Sequence, residues 1–406
     1  MDKLAQELIK SFQKDFPETP LVTLGGEEYG RIRGWVDTSN YALNWIISKD
    51  LKKGWPVGRV SLLVGDPSTG KTAISLSSMR DETIDLIVYL DSEGGSADAS
   101  FAEFLGADPN KILYSPVETV EELKSKMGKV IDIVEKNKST KKVLMVIDSI
   151  SMLSTEKEMD PNKGSDFGAK AKLTREYFRT YIRKIQKLNI AAIFTAHYTV
   201  NVGQMYGPPK VIAGGTILKF APSLIVELSH NTKENEVDKS ALGASVVGLR
   251  AKILKSRMGT FGKQMDFELD LNKGLEPFSG LFNVLRDYEI IIPALSDLEV
   301  QIKEKKIPAK STGWYVFKPW DYSELFEAFK EKVRSSGKFR ESEFNDFSKE
   351  NEAIFIDLYQ QALDKATFNE NEKKETSKPS KEEKSEEEAI IEQINEQETS
   401  EKESLD

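Results

Sequence analysis

The chain contains no cysteine, which excludes disulfides, thiolate catalysis and thiolate metal sites. Histidine is nearly as scarce: His197 and His230 are the only two, too few for a histidine-rich metal cage. No apolar run reaches the roughly 20 residues that a membrane-spanning helix needs. The opening MDKLAQELIKSF also lacks the apolar core of a signal peptide. A cytoplasmic protein with no membrane partner is therefore expected. Charge is unbalanced in one place only. The net charge is −9 over 406 residues, but residues 369–406 hold 14 acidic residues against six lysines and so carry −8 of it. The remainder is nearly neutral, which leaves room for a local basic path toward nucleic acid.

The most informative stretch that is present is Gly65-Asp66-Pro67-Ser68-Thr69-Gly70-Lys71-Thr72, which fits G-x-x-x-x-G-K-[ST]. An apolar run, Arg59 to Val64, leads into it, and Ala73 to Ser77 continues as a helix. A loop between strand and helix can turn backbone N–H groups and a helix N-terminus onto a polyphosphate. Its glycines admit the anion close to the backbone. Lys71 is expected at the β- and γ-phosphates, and the Thr72 hydroxyl on Mg²⁺. The chain is thus read as binding a nucleoside triphosphate with Mg²⁺.

Two further apolar runs end in carboxylates. Val143 to Ile147 leads to Asp148-Ser149, and Asp148 is expected to hold Mg²⁺ through its water shell. A strand-terminal Asp also caps a following helix in many folds, so that reading stays beside it. Leu86 to Leu90 leads to Asp91-Ser92-Glu93-Gly94-Gly95. Glu93 is the candidate general base for the attacking water, with Asp91 as its local rival. A third run, Ile190 to Thr195, ends at Ala196-His197; a lone histidine is usually a satisfied structural residue, but a polar side chain at a strand tip facing a nucleotide can instead sense the γ-phosphate. The segment that follows, 198–213, is rich in Gly and Pro and lacks regular periodicity, a pattern that in a compact domain usually carries function.

Apolar runs at 60–64, 86–90, 143–147, 190–195 and 224–228, separated by helical segments such as 117–136 and 169–188, predict a mostly parallel sheet covered on both faces. Segments 246–255 and 262–271 alternate more strongly, as antiparallel strands added at one edge would. The expected organisation has four parts. Residues 1–30 form an amphipathic helix and arm, 31–280 an α/β core, 281–368 a small α+β domain carrying Trp314, Tyr315, Phe317 and Trp320, and 369–406 a disordered acidic tail.

With these residues in view the chain resembles the RecA-family recombinases, in pattern closest to the UvsX-type strand-exchange proteins of large tailed phages. The resemblance covers about Arg31 to Tyr315. Trp55-Pro56-Val57-Gly58-Arg59 is similar to the family's lead-in to the phosphate loop, and Glu93 falls on its catalytic glutamate. Phe101 falls near the aromatic that packs on adenine, one residue out of register. The stretch 197–220 matches the second DNA-binding loop and its following helix through Gly203, Met205-Tyr206-Gly207, Gly214-Gly215 and Leu218-Lys219-Phe220. There His197 replaces a glutamine of bacterial RecA. About 155–172 resembles the first DNA loop, with Gly168, Lys172 and Arg179 on matching positions. Lys255-Ser256-Arg257 resembles the basic pair that reaches a neighbouring subunit's ATP. Thr199 and Asn201 are neutral where RecA is positive, so Lys210 is the only basic residue of the second loop.

The resemblance implies a RecA-like P-loop NTPase fold and a DNA-dependent ATPase that assembles as a helical filament. Single-stranded DNA, homologous duplex, mediator proteins and single-strand-binding proteins are the implied partners. Residues 1–16 are expected to dock on the adjacent subunit. Two alternatives share parts of this pattern: a RecA-type replicative helicase, and a DNA-coating module switched by ATP.

Overall fold

One nine-stranded sheet organises the first part of the chain. The computed structural model describes residues 2–16, 21, 32–95, 99–160, 168–200, 210–231, 246–270 and 274–376. In chain order it begins with α1 (Lys3–Asp15), β1 (Trp35–Val36), α2 (Tyr41–Ser48), β2 (Trp55–Pro56), β3 (Arg59–Gly65), α3 (Lys71–Ser77) and β4 (Leu86–Asp91). Next come α4 (Ala99–Phe104), β5 (Ile112–Pro116), α5 (Val120–Lys136), β6 (Val143–Asp148), α6 (Glu156–Met159), α7 (Ala169–Lys187) and β7 (Ile190–Ala196). A short hairpin, β8 (Tyr198–Val200) and β9 (Lys210–Ile212), precedes α8 (Ile217–Phe220), β10 (Leu224–His230), β11 (Val246–Ser256), β12 (Gln264–Asp270), β13 (Gly274–Leu275) and α9 (Leu281–Asp287).

The sheet order is β13-β12-β11-β10-β3-β7-β6-β4-β5. From β10 to β5 all neighbours are parallel. The strands β11 and β12 add antiparallel at the other edge, as the alternating segments predict, and the two-residue β13 pairs beyond them. Every residue of β6 and β7 is buried, which explains why these strands read as unbroken apolar runs. Helix α5 starts at Val120 because the Thr119 hydroxyl accepts from the Glu122 N–H. Its buried stripe of Leu123, Met127, Ile131 and Val134 joins the sheet core with Tyr177 and Phe178 of α7. Parallel pairing brings the strand ends Gly65, Ala196, Asp148 and Asp91 to one edge, and that edge is where the site forms.

Three features differ from the sequence expectation. The strand β5 went unanticipated because it is an edge strand with Leu113 and Tyr114 exposed, so its apolar run is short. The segment 198–213 is not irregular throughout, since Tyr198–Val200 and Lys210–Ile212 pair as β8–β9. Helix α13 continues through Thr376, past the Asn369 at which a disordered tail was expected to begin.

The chain divides into two compact units, Met1–Val284 and Leu285–Asp406. In the second, β14 (Ile291–Pro293) pairs antiparallel with β15 (Tyr315–Phe317). Around them lie α10 (Leu298–Glu304), α11 (Ser323–Lys332), α12 (Phe344–Glu350) and α13 (Glu352–Thr376). Its core is aromatic: Phe317, Phe329, Phe339, Phe344, Phe355 and Tyr359 are all buried. Trp314 is covered by the Arg340 guanidinium at 4.9 Å. Among the described residues no helix is long and apolar enough to cross a membrane.

Candidate nucleotide site

The loop 65–72 leaves the end of β3 and enters α3 at Lys71, with Gly70 at φ +77° as the residue before the helix. Gly65 has no room for a side chain. A Cβ there would lie 2.4 Å from the Leu228 carbonyl oxygen and 2.6 Å from Thr69 Oγ1. The Thr69 hydroxyl donates to the Asp66 carbonyl at 2.8 Å, fixing the turn. Lys71 Nζ donates back to the carbonyls of Gly65 (3.1 Å) and Asp66 (2.8 Å). Burial lowers the pKa of this lysine, and Glu93, Asp148 and Asp66 oppose the shift.

Thr72 Oγ1 donates to Asp148 Oδ2 at 2.7 Å. The same carboxylate accepts the Tyr89 hydroxyl at 2.8 Å and, on Oδ1, the Thr195 hydroxyl. Asp148 is therefore held by three side chains from neighbouring elements, which sets aside the helix-cap reading. A hydroxyl and a carboxylate within hydrogen-bond reach beside a phosphate loop form a hard oxygen donor pair, and such a pair fits Mg²⁺. Sequence reasoning missed Tyr89 and Thr195. Both are polar tips inside otherwise apolar runs, a signal that each needs a buried partner.

Geometry separates the two candidate bases. The Asp91 carboxylate accepts from the backbone N–H of Glu93 (2.9 Å), Gly94 (3.1 Å) and Gly95 (3.0 Å), and from the Tyr114 hydroxyl (3.0 Å). Asp91 builds the loop. Glu93 is instead part-exposed, and its Oε1 lies 2.8 Å from His197 Nε2. The Ser92 hydroxyl bonds both the N–H and the carbonyl of Ser149, tying the Glu93 loop to the end of β6.

His197 stands between this loop and the hairpin. Its backbone N–H donates to Ser151 Oγ at 2.8 Å, and its carbonyl accepts from the Ala213 N–H at 2.9 Å. Its Nδ1 is buried with no hydrogen-bond partner among the described residues. Gly214 and Gly215 both have positive φ, and a Cβ on Gly215 would press 3.1 Å from the Cβ of Ala171. The hairpin's exit thus packs against the first turn of α7. Lys172 and Arg179 are exposed on that helix, two turns apart. Lys210 is not displayed beside them: its Nζ lies 2.6 Å from Asp66 Oδ2 on the phosphate loop.

Lys255 and Arg257 lie away from the phosphate loop of their own chain. Ser256 is level with Ser61 through Leu224, four residues back along β3 from Gly65 and so roughly 13 Å along the strand. Lys255 Nζ donates to the Lys219 carbonyl at 3.2 Å. Burial and the nearby Arg257 lower its pKa. Arg257 shares an open groove of about 520 Å³ with Arg179, Arg183, Ile217 and Phe220. Gly203, Met205, Tyr206 and Gly207 lie outside the described residues, as does the side chain of Phe101.

The profile of the RecA N-terminal domain matches residues 3–276, two-thirds of the chain. The chain belongs to the RecA family. Among curated relatives it is similar to Protein RecA of Clostridioides difficile (strain 630), 27% identical over 295 residues that cover 71% of this chain and 80% of the relative. It is also similar to Protein RecA of Francisella tularensis subsp. novicida (strain U112), 24% identical over 327 residues covering 78% and 80%. The mostly parallel sheet and its phosphate loop are the RecA fold of this chain.

Proposed function

We propose that this RecA-family chain is an ATP-dependent DNA recombinase of the UvsX type. It forms a helical filament on single-stranded DNA, pairs it with homologous duplex and exchanges strands, serving recombination, repair and recombination-dependent replication. The observation that carries the reading is a continuous chain of contacts. It runs from Thr72 and Asp148, through Glu93 and His197, to the hairpin 198–213.

The steps follow from those contacts. The backbone of Gly65 to Gly70 and the Lys71 ammonium take the triphosphate, and its arrival gives the buried cation an anionic partner. Mg²⁺ held by Thr72 and Asp148 neutralises charge on the phosphate oxygens when bound. Glu93 orients the attacking water and accepts its proton. His197 shares that carboxylate, so a γ-phosphate that draws on either side chain changes the hydrogen bond between them. The change passes along the His197 backbone to Ala213 and the hairpin. Phe101 packs near the adenine. Lys255 and Arg257 lie too far from their own loop to complete it and serve the ATP of the next subunit, so turnover requires assembly. DNA is gripped through phosphates by Lys172 and Arg179 and through the backbone of 203–207 and 214–215, which makes binding strongly salt-dependent. Mediator and single-strand-binding proteins load the filament, and α1 docks on the adjacent copy.

The test is joint-molecule formation from single-stranded DNA, homologous supercoiled duplex and ATP, with Glu93→Gln beside the wild type. Wild-type protein is expected to form joints. Glu93→Gln is expected to bind ATP and DNA but to hydrolyse ATP roughly 10²- to 10⁴-fold more slowly. Unwinding of a forked duplex without pairing would instead indicate a helicase, and undiminished hydrolysis by Glu93→Gln would remove Glu93 as the base.

A further inference from the structure

Among the described residues the hairpin meets the phosphate loop through an ion pair, Lys210 Nζ to Asp66 Oδ2 at 2.6 Å. The register Tyr198↔Ile212 and Val200↔Lys210 places Tyr198, Lys210 and Ile212 on one face of the hairpin. That face is turned to the core. Ile212 is buried, and the Tyr198 hydroxyl donates to Glu227 Oε1 at 2.6 Å. Lys210 therefore directs its ammonium to the nucleotide side, although it is the only cation of 198–213 and reads in the sequence as a DNA contact. Asp66 is the second residue of the phosphate loop, and its own carbonyl holds Lys71 Nζ. An uncompensated carboxylate at that point repels an incoming polyphosphate.

We propose that Lys210 is a positioning residue of the nucleotide site: it neutralises Asp66 so that the phosphate loop accepts a triphosphate, and it ties nucleotide affinity to the seating of the hairpin. The inference rests on the triphosphate reading of the loop. Both side chains are about half exposed, so the pair exchanges readily and holds no rigid geometry. Any ligand that draws the hairpin, and Lys210 with it, off Asp66 weakens triphosphate binding. By linkage, triphosphate binding resists that displacement to the same degree.

The experiment titrates full-length protein with a fluorescent ATP analogue and Mg²⁺, without DNA, at low and high salt. Lys210→Ala is expected to weaken binding roughly fivefold at low salt, the scale of one unit charge at about 4 Å in water. The difference should shrink as salt screens it. Lys210→Arg should bind like the wild type, and Asp66→Asn with Lys210→Ala should recover to within about twofold, because the repelling charge is gone. The salt slope of single-stranded DNA binding should be unchanged in that double variant. Unchanged nucleotide affinity in Lys210→Ala overturns the proposal, as does a double variant as weak as Lys210→Ala, or a DNA salt slope lowered by about one contact. If the wild type itself shows no saturable binding, the triphosphate reading fails too. If the wild type binds and Lys210→Ala matches it, only this inference fails.

Discussion

Lys71 places an ammonium in a nearly closed site, 6% exposed, against two backbone carbonyls. Burial lowers its pKa, so the charged form costs stability in the nucleotide-free protein. That cost is fully present below the lowered pKa and fades as pH rises toward the ordinary lysine value of about 10.4. Lys71→Met should therefore leave the unfolding temperature of the free protein at or above that of the wild type near neutral pH, with the difference shrinking as pH rises. The stabilisation that ATP and Mg²⁺ give the wild type should vanish in the variant. Differential scanning calorimetry at pH 7 and pH 10, with and without ATP, reads both. A free variant that melts well below the wild type would mean that the two carbonyl bonds outweigh the burial. Asp91 illustrates the limit of reading single residues from sequence. It and Glu93 are equivalent as letters at a strand end. Only the folded turn, with three N–H groups converging on Asp91, separates the one that builds the loop from the one that meets His197.

At the scale of elements, the strands of the sheet's interior were legible because burial on both faces leaves an unbroken apolar run. Two outlying elements were not. The outermost strand β5 carries Leu113 and Tyr114 in the open, and β8–β9 has three residues on each side, too few for a period to register. Site residues on strand tips were therefore easier to name than the hydroxyls that hold them. Helix α7 gives the clearest charge pattern. Lys172, Arg175, Arg179 and Arg183 recur at spacings of three and four and are all exposed, while Thr174, Tyr177, Phe178 and Ile185 face the core. A row of cations on a rigid helix suits a phosphate backbone. Lys172→Ala should reduce the slope of log K against log salt for single-stranded DNA by roughly 0.7, with nucleotide affinity unchanged. A slope equal to that of the wild type would take Lys172 out of the DNA path.

Across the whole molecule, α1 is the element that a single chain leaves unused. None of its residues is buried, and Leu4, Leu8 and Phe12, with Phe16 at its C-cap, are 63%, 44%, 39% and 53% exposed. Covering four such side chains gains on the order of 6–12 kcal/mol before the costs of association, enough to matter only if each copy in an assembly supplies the same stripe to its neighbour. Heterologous contact of this kind propagates rather than closes, which is the geometry of a filament. Removing residues 2–16 should therefore leave the unfolding temperature of the monomer unchanged, because none of the residues of the deleted helix is buried. It should abolish the large assemblies proposed to form with ATP and single-stranded DNA, and DNA-dependent ATP turnover with them, since the role proposed for Lys255 and Arg257 needs an adjacent site. Sedimentation velocity with and without DNA measures the first effect, and ATP hydrolysis the second. Long assemblies from the shortened protein would show that the subunit contact lies elsewhere.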